Sequence, residues 1–262
     1  MKSMSKKVAI IISPNYKDYA EKYLTECAYS IKKQDYADEM KIFIADNEST
    51  DESFKYLKSV LAGQNTTPLT PLIRGVEIVR NKDNGGFAKG NNDCIKLALE
   101  QGFEYIILFN MDTVVEPTCA RKMVEAAENN KILDSRLPGE ICKAFHGASR
   151  GNDNGNDRKK IGAVQARLML YDKKYIINSL GNVTHFLGFG YSKGYGEEYK
   201  RPRPNALLVK ESDICYPSGA AVLFKVEVLK KIGLFDEEFW MYNEDQDLGW
   251  RLWLSGYKCV LE

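Results

Sequence analysis

Two carboxylates stand out by where they sit. Asp112 follows Tyr105–Phe109, a continuous apolar run inside YIILFNMDTVV. Such a run suits a strand buried on both faces of a parallel sheet, which leaves Asp112 just past the strand's carboxyl end. In open α/β sheets ligands bind along that edge. A carboxylate there can share a hard divalent cation with substrate phosphates. An aspartate in the same place can equally begin a turn or cap the next helix. The second carboxylate, Asp245, lies in NEDQD (Asn243–Asp247), at the start of a predicted helix running to Ser255. Acids favour the positive end of a helix, and Asn243 is a suitable N-cap. Asp245, Leu248, Gly249 and Leu252 recur at i, i+3, i+4 and i+7, so Asp245 shares the apolar face. An acid turned inward at a helix start is a candidate general base. Asp247 and Arg251 can pair outward at i, i+4.

The elements that would hold these groups follow from the apolar runs. VAIIIS (Val8–Ser13), KIFIA (Lys41–Ala45) and GVEIVR (Gly75–Arg80) read as strands ahead of the Tyr105 strand. Helices are expected over Tyr19–Lys33, Glu52–Leu61 and Asp93–Gln101. Alternating strands and helices predict βαβ units and a parallel sheet. Asn15, Asp46, Asn84 and Asp112 each follow the carboxyl end of a successive strand. One such residue is explained by a turn; four on one rim are better explained by a ligand site. NGGFAKGNN (Asn84–Asn92) adds three glycines, which allow tight curvature and close approach to main-chain N–H groups. Lys89 adds positive charge, and a helix start after it favours an anion; a flexible turn with a helix cap is the alternative. The stretch is neither G-x-G-x-x-G nor a P-loop.

In the second half, about 134–160 is Gly-, Asn- and Asp-rich and reads as a long mobile insertion containing His146. Ile161–Leu170 resumes as a strand, and Tyr175–Tyr199 should form short strands or loops around His185. YKRPRP (Tyr199–Pro204) reads as a solvated loop, or as a contact for anionic lipid or phosphate. YPSGAAVLF (Tyr216–Phe224) reads as a strand with small residues where something approaches closely. Val226–Ile232 should be a short helix ended by Gly233.

Composition narrows the classes. With 37 basic and 36 acidic residues in 262, the net charge of +1 offers no footprint for nucleic acid. Six scattered cysteines without C-x-x-C read as reduced thiols, and two histidines exclude a His-rich metal cluster. No stretch is long enough to span a bilayer, and no signal peptide is evident. A cytoplasmic protein is expected.

Read in series, IIISPNY, IADNESTD, NGGFAKGNN, LFNMDTVV, SGAAVLF and GLFDEEFWMYNEDQDLGWRLWLSGYK resemble the family 2 inverting glycosyltransferases. The similarity is greatest to the rhamnosyltransferase-like branch that builds bacterial polysaccharides. The resemblance implies an α/β GT-A fold: a Rossmann-like, mostly parallel sheet flanked by helices. Residues 1–115 would form the nucleotide-sugar half and 116–262 the acceptor half of one domain. It implies that Pro14, Asn15, Tyr16 and Asp46 hold the nucleoside, with Asn84, Gly86 and Lys89 lining the nucleotide pocket. Asp112 would bind Mg²⁺ or Mn²⁺ on the donor diphosphate, Asn110 replacing the first acid of the family's D-x-D. Asp245 would be the catalytic base, with Glu244 as its possible substitute, and Trp240 and Tyr242 would flank the acceptor sugar. The acceptor would be a saccharide or lipid-linked saccharide, reached at the inner face of the plasma membrane by peripheral contact. Family members often carry a metal-ligating His beyond the strand after the base's helix, and His146 and His185 do not match it. The chain is therefore expected to be truncated, or its metal site completed by diphosphate and water. Two rival readings are a sugar-1-phosphate nucleotidyltransferase, which would carry a Gly-rich basic loop after the first strand, and a binding module with a decayed site.

Overall fold

The structure is a computed structural model that describes residues 6–61, 73–128, 160–200 and 213–262. His146, most of the expected insertion and the Arg201–Pro204 part of YKRPRP lie outside the described residues. Four strands alternate with helices in the first half: β1 (Val8–Asn15), α1 (Tyr19–Lys32), β2 (Met40–Asn47), α2 (Asp51–Leu61), β3 (Ile73–Asn81), α3 (Gly86–Glu100), β4 (Tyr105–Phe109) and α4 (Cys119–Glu128). The second half supplies β5 (Lys160–Gln165), β6 (Leu168–Met169), β7 (Ile177–Ser179), β8 (Asn182–Thr184), β9 (Gly190–Ser192), β10 (Asp213–Ile214), β11 (Ala221–Lys225), α5 (Val226–Ile232), a 3₁₀ turn (Glu237–Phe239), α6 (Glu244–Leu254) and β12 (Tyr257–Leu261).

Eight strands form one sheet in the order β10-β12-β5-β11-β4-β1-β2-β3. The pairs β3–β2, β2–β1 and β1–β4 are parallel, and β12 is parallel to β5. β11 runs antiparallel between β4 and β5. The mostly parallel α/β sheet expected from the sequence is therefore the one that forms. Side chains alternate across it as a strand's period of two requires. Val8, Ile10 and Ile12 of β1 pack with Leu24, Leu57 and Met123 on the face covered by α1, α2 and α4. Ala9 and Ile11 pack with Ile95, Leu229 and Leu248 on the face covered by α3, α5 and α6. Each such fully buried aliphatic side chain contributes about 1.5–3 kcal/mol, so the sheet is a rigid platform for its rim.

Four local expectations are corrected. α3 begins at Gly86, not Asp93. Glycine and asparagine are poor helix formers, but tertiary contacts hold them here: Asn47 Nδ2 donates to the Gly86 carbonyl at 2.9 Å and the Trp240 carbonyl accepts the Ala88 N–H at 3.2 Å. β11 begins at Ala221, so 216–220 lie outside the strand, and the expected Ile161–Leu170 strand divides into β5 and β6. Asn243 takes a left-handed conformation with φ 70° and makes no side-chain cap bond to α6.

Candidate active site at the carboxyl rim of the sheet

β1 and β2 end side by side, Asn15 in register with Asp46. Both are fully buried. Asn15 Nδ2 donates to Asp46 Oδ1 at 2.9 Å and to Ser53 Oγ at 3.3 Å, while Asn15 Oδ1 accepts the Ala20 N–H at the start of α1. The Ser49 hydroxyl also donates to Asp46 Oδ1. Asp46 Oδ2 is buried and accepts no hydrogen bond; Arg80 Nε lies 3.6 Å from it. The Arg80 guanidinium also stacks on Phe54 at 4.1 Å and pairs with Asp51 at 3.0 Å. A buried carboxylate oxygen without a donor is costly and suits a ligand N–H. Tyr16 stacks on Tyr19 with ring centres 5.2 Å apart.

Asn47 ties this corner to α3, its Nδ2 donating to the Gly86 carbonyl at 2.9 Å. The glycines of NGGFAKGNN make room for protein groups: a Cβ on Gly90 would lie 2.3 Å from the Pro14 ring, and one on Gly86 only 2.4 Å from the Trp240 carbonyl oxygen. Gly86 also has φ +77°, which glycine adopts freely. The Trp240 carbonyl accepts the Ala88 N–H at 3.2 Å, and Trp240 Nε1 donates to the Asn84 carbonyl at 3.3 Å. Lys89 pairs with Asp93 at 2.7 Å.

The turn after β4 is fixed from three sides. Ser13 Oγ accepts the Met111 N–H at 2.9 Å, Cys27 Sγ donates to the Asn110 carbonyl at 3.6 Å, and the Ala220 carbonyl accepts the Asn110 N–H at 2.9 Å. Asp112 is exposed on this turn. Tyr19 stands beside it; burial, and then the charge of Asp112, push its phenol's pKa up. Asn110 Oδ1 is buried without a partner. Among the described residues no three His, Cys, Asp or Glu side chains cluster as a metal cage. One carboxylate and one unpartnered amide oxygen nevertheless suit a hard cation that takes its remaining ligands from phosphate and water.

Ser218–Ala220 joins this turn to the second acid. While the Ala220 carbonyl accepts from Asn110, the Gly219 N–H donates to Asp245 Oδ2 at 3.2 Å. Asp112 and Asp245 thus belong to segments bridged by three residues, on one rim. Burial raises the Asp245 pKa, against a lowering by the Gly219 N–H. Glu244 is 6% exposed and its Oε2 has no partner. Burial, then the charge of Asp245, push its carboxyl up to about 7. Asp247 and Arg251 pair at 2.6 Å, but Arg251 also donates to the Ile232 and Leu234 carbonyls, so the pair braces the loop before α6.

Trp240 is 48% and Tyr242 76% exposed on that loop. Trp240, Tyr242 and Asn243 have φ of 55°, 72° and 70°, a strain that persists only where surrounding structure imposes it and that gathers at functional sites. The β8–β9 hairpin is fastened to α6 by Gln246 Nε2 donating to the Gly188 carbonyl at 2.8 Å and by Trp250 Nε1 donating to Thr184 Oγ1 at 3.2 Å. Tyr19 and Gln165 also border this rim, and neither carries a signal in the sequence; Arg80 borders it too. Arg80 ends a predicted strand and could have been found by its register with Asp46.

A model of glycosyl transferase family 2 matches residues 10–233. A search of curated proteins finds no match. Among solved structures the chain is similar to S. aureus TarS 1-349 in complex with UDP, at 17% identity and TM-score 0.55, over 98% of this chain and 57% of that one. The complex of the same protein with UDP-GlcNAc matches at 16% identity and TM-score 0.55, over 98% and 56%. The mannosyltransferase PcManGT of Pyrobaculum calidifontis, in complex with GDP-Man and Mn²⁺, matches at 16% identity and TM-score 0.51, over 100% and 57%. The chain therefore spans little more than half the length of these structures, and at such identities the likeness is one of GT-A fold. The match of the family model over most of the chain is what establishes membership: the chain belongs to glycosyl transferase family 2.

Proposed function

We propose that the chain is an inverting glycosyltransferase that moves a sugar from a nucleoside diphosphate to an acceptor hydroxyl. The observation that carries this reading is the Ser218–Ala220 bridge, which holds the Asp112 turn and the Asp245 carboxylate on one rim. The first half, 1–115, would take the nucleotide: the orphaned Asp46 Oδ2 suits a ring N–H of the base, beside Asn15, Pro14 and Tyr16. Asn84, Gly86 and Lys89 lie at the start of α3, where a diphosphate would meet the positive helix end. Asp112 and the Asn110 amide oxygen would hold Mg²⁺ or Mn²⁺, which when bound neutralises charge on the departing diphosphate. The second half, 116–262, would take the acceptor between Trp240, Tyr242 and the β8–β9 hairpin.

The chemistry is one displacement. Asp245 takes the proton of the acceptor hydroxyl as its oxygen bonds to the anomeric carbon. The bond from that carbon to the diphosphate oxygen breaks, its electron pair leaving on the nucleoside diphosphate. A single displacement inverts the anomeric centre. Complexes of similar folds with UDP, UDP-GlcNAc and GDP-Man support a nucleotide-sugar donor. The motif resemblance supports a saccharide or lipid-linked acceptor in bacterial surface polysaccharide synthesis. Among the described residues no helix is long and apolar enough to cross a membrane.

Calorimetry with UDP, dTDP and GDP, with and without Mn²⁺, followed by a turnover screen of their sugars, tests the reading. Binding of at least one nucleotide, tighter with Mn²⁺, and turnover abolished by Asp245→Asn with affinity unchanged are expected. Full turnover by Asp245→Asn would remove it as the base.

A further inference from the structure

We propose that Gln165 is a positioning residue for Asp245, acting through Ser218 and Gly219. Its effect on turnover rests on Asp245 being the base; the link between the two residues rests on hydrogen bonds alone. Gln165 ends β5 and is fully buried. Its main chain cannot shift, because it pairs with Val222 of β11 on one side and Leu261 of β12 on the other. Its amide is held at both ends. Nε2 donates to Ser179 Oγ at 3.2 Å, and that hydroxyl donates to Asn182 Oδ1 at 3.3 Å. Oε1 accepts the Ser218 N–H at 2.7 Å. A main-chain N–H can only donate, so this contact fixes which end of the amide faces Ser218.

The next N–H along the chain is the one that matters. Gly219 donates to Asp245 Oδ2 at 3.2 Å, and the following carbonyl, of Ala220, accepts the Asn110 N–H. Only the φ and ψ of Ser218 separate its own N–H from that of Gly219, so an amide that fixes the first restricts where the second can point. The rest of β5 inside the core is apolar, with Ile161, Ala163 and Val164 buried. An apolar residue at 165 would pair the strands equally well and avoid burying an amide. What the amide adds is the direction of 218–219. That direction bears on the chemistry, because burial holds the Asp245 proton on and the Gly219 N–H opposes it. Glu244, next to Asp245 on α6, and the Tyr216 phenol also feel its charge, and neither is altered in the variants below. A base must be ionised before it can accept.

The test reads Asp245 itself. The full chain is labelled with ¹³C-carboxyl aspartate, the Asp245 signal is assigned by its loss in Asp245→Asn, and its midpoint is followed against pH. Gln165→Met keeps the side-chain length and deletes both amide bonds. Its Asp245 midpoint should rise by about half a pH unit or more, roughly threefold in proton affinity. Ser179→Ala, a milder change that frees only the far end of the amide, should give a smaller rise, and it carries the test if Gln165→Met does not fold. Ile161→Val in the same strand should lower the melting temperature without moving the midpoint. An unmoved midpoint in the folded Gln165→Met, or in Ser179→Ala where it stands alone, overturns the proposal whatever the turnover. Full turnover of the screened nucleotide sugars by Asp245→Asn, with the midpoints moved as expected, overturns the base and leaves the positioning link intact.

Discussion

Replacing Glu244 by glutamine should stabilise the protein, and only above mildly acidic pH. The Glu244 carboxyl is buried with Oε2 unpartnered, and burial together with Asp245 raises it from 4.5 to about 7. A raised acid binds its proton more tightly in the folded state. Its stabilising contribution is therefore complete below the unfolded value of 4.5 and is lost as pH climbs through 7. At about 1.4 kcal/mol per pH unit, that interval amounts to about 3 kcal/mol. Glutamine has nearly the same shape and no charge to desolvate. Urea unfolding of the two proteins should show a small difference at pH 4.5 and an advantage of about 3 kcal/mol for Glu244→Gln at pH 8.5. For a chain of this size the melting temperature would rise on the order of 6 °C or more. An advantage equal at both pH values would refute the reasoning, and so would a loss of stability at pH 8.5, which would mean that the ionised carboxylate is held by a partner.

Asp112→Ala should remove the Mn²⁺ dependence of nucleotide binding and weaken it by roughly tenfold or more in the presence of metal; calorimetric affinities that still respond to Mn²⁺ would move the cation elsewhere. Asp46→Ala deletes a charged acceptor and should cost nucleotide binding about 1.5–3 kcal/mol, and because it also strands the buried donors of Asn15 and Ser49 the melting temperature of the free protein should fall; undiminished affinity in the folded variant would place the base of the nucleotide outside this corner. Gly86→Ala meets both a left-handed backbone and the Trp240 carbonyl, and should destabilise by about 2–5 kcal/mol; a neutral result in thermal melting would show that the Trp240 turn yields.

The strands were legible because the sheet buries them on both faces, so that runs such as Val8–Ile12 and Tyr105–Phe109 carry hydrophobicity without interruption. The polar residues that end those runs could therefore be placed on one rim before any coordinates. The start of α3 could not, since glycines and asparagines disfavour helix locally and only contacts from Pro14, Asn47 and Trp240 make it form. Asn243 looked like a cap by composition, yet the turn before it forces a left-handed backbone whose side chain caps nothing. Gln165 was invisible for another reason. Nothing near it in the chain marks it; its partner Ser218 lies 53 residues away, brought close only by the pairing of β5 with β11.

Trp240 rests its main chain where Gly86 has no side chain, and this couples two stretches far apart in the chain. The turn leading to Asp245 takes its footing from the same helix start that follows Asn84. A side chain introduced at position 86 would therefore be felt at both ends of this contact, in the first turn of α3 and in the turn that leads into α6.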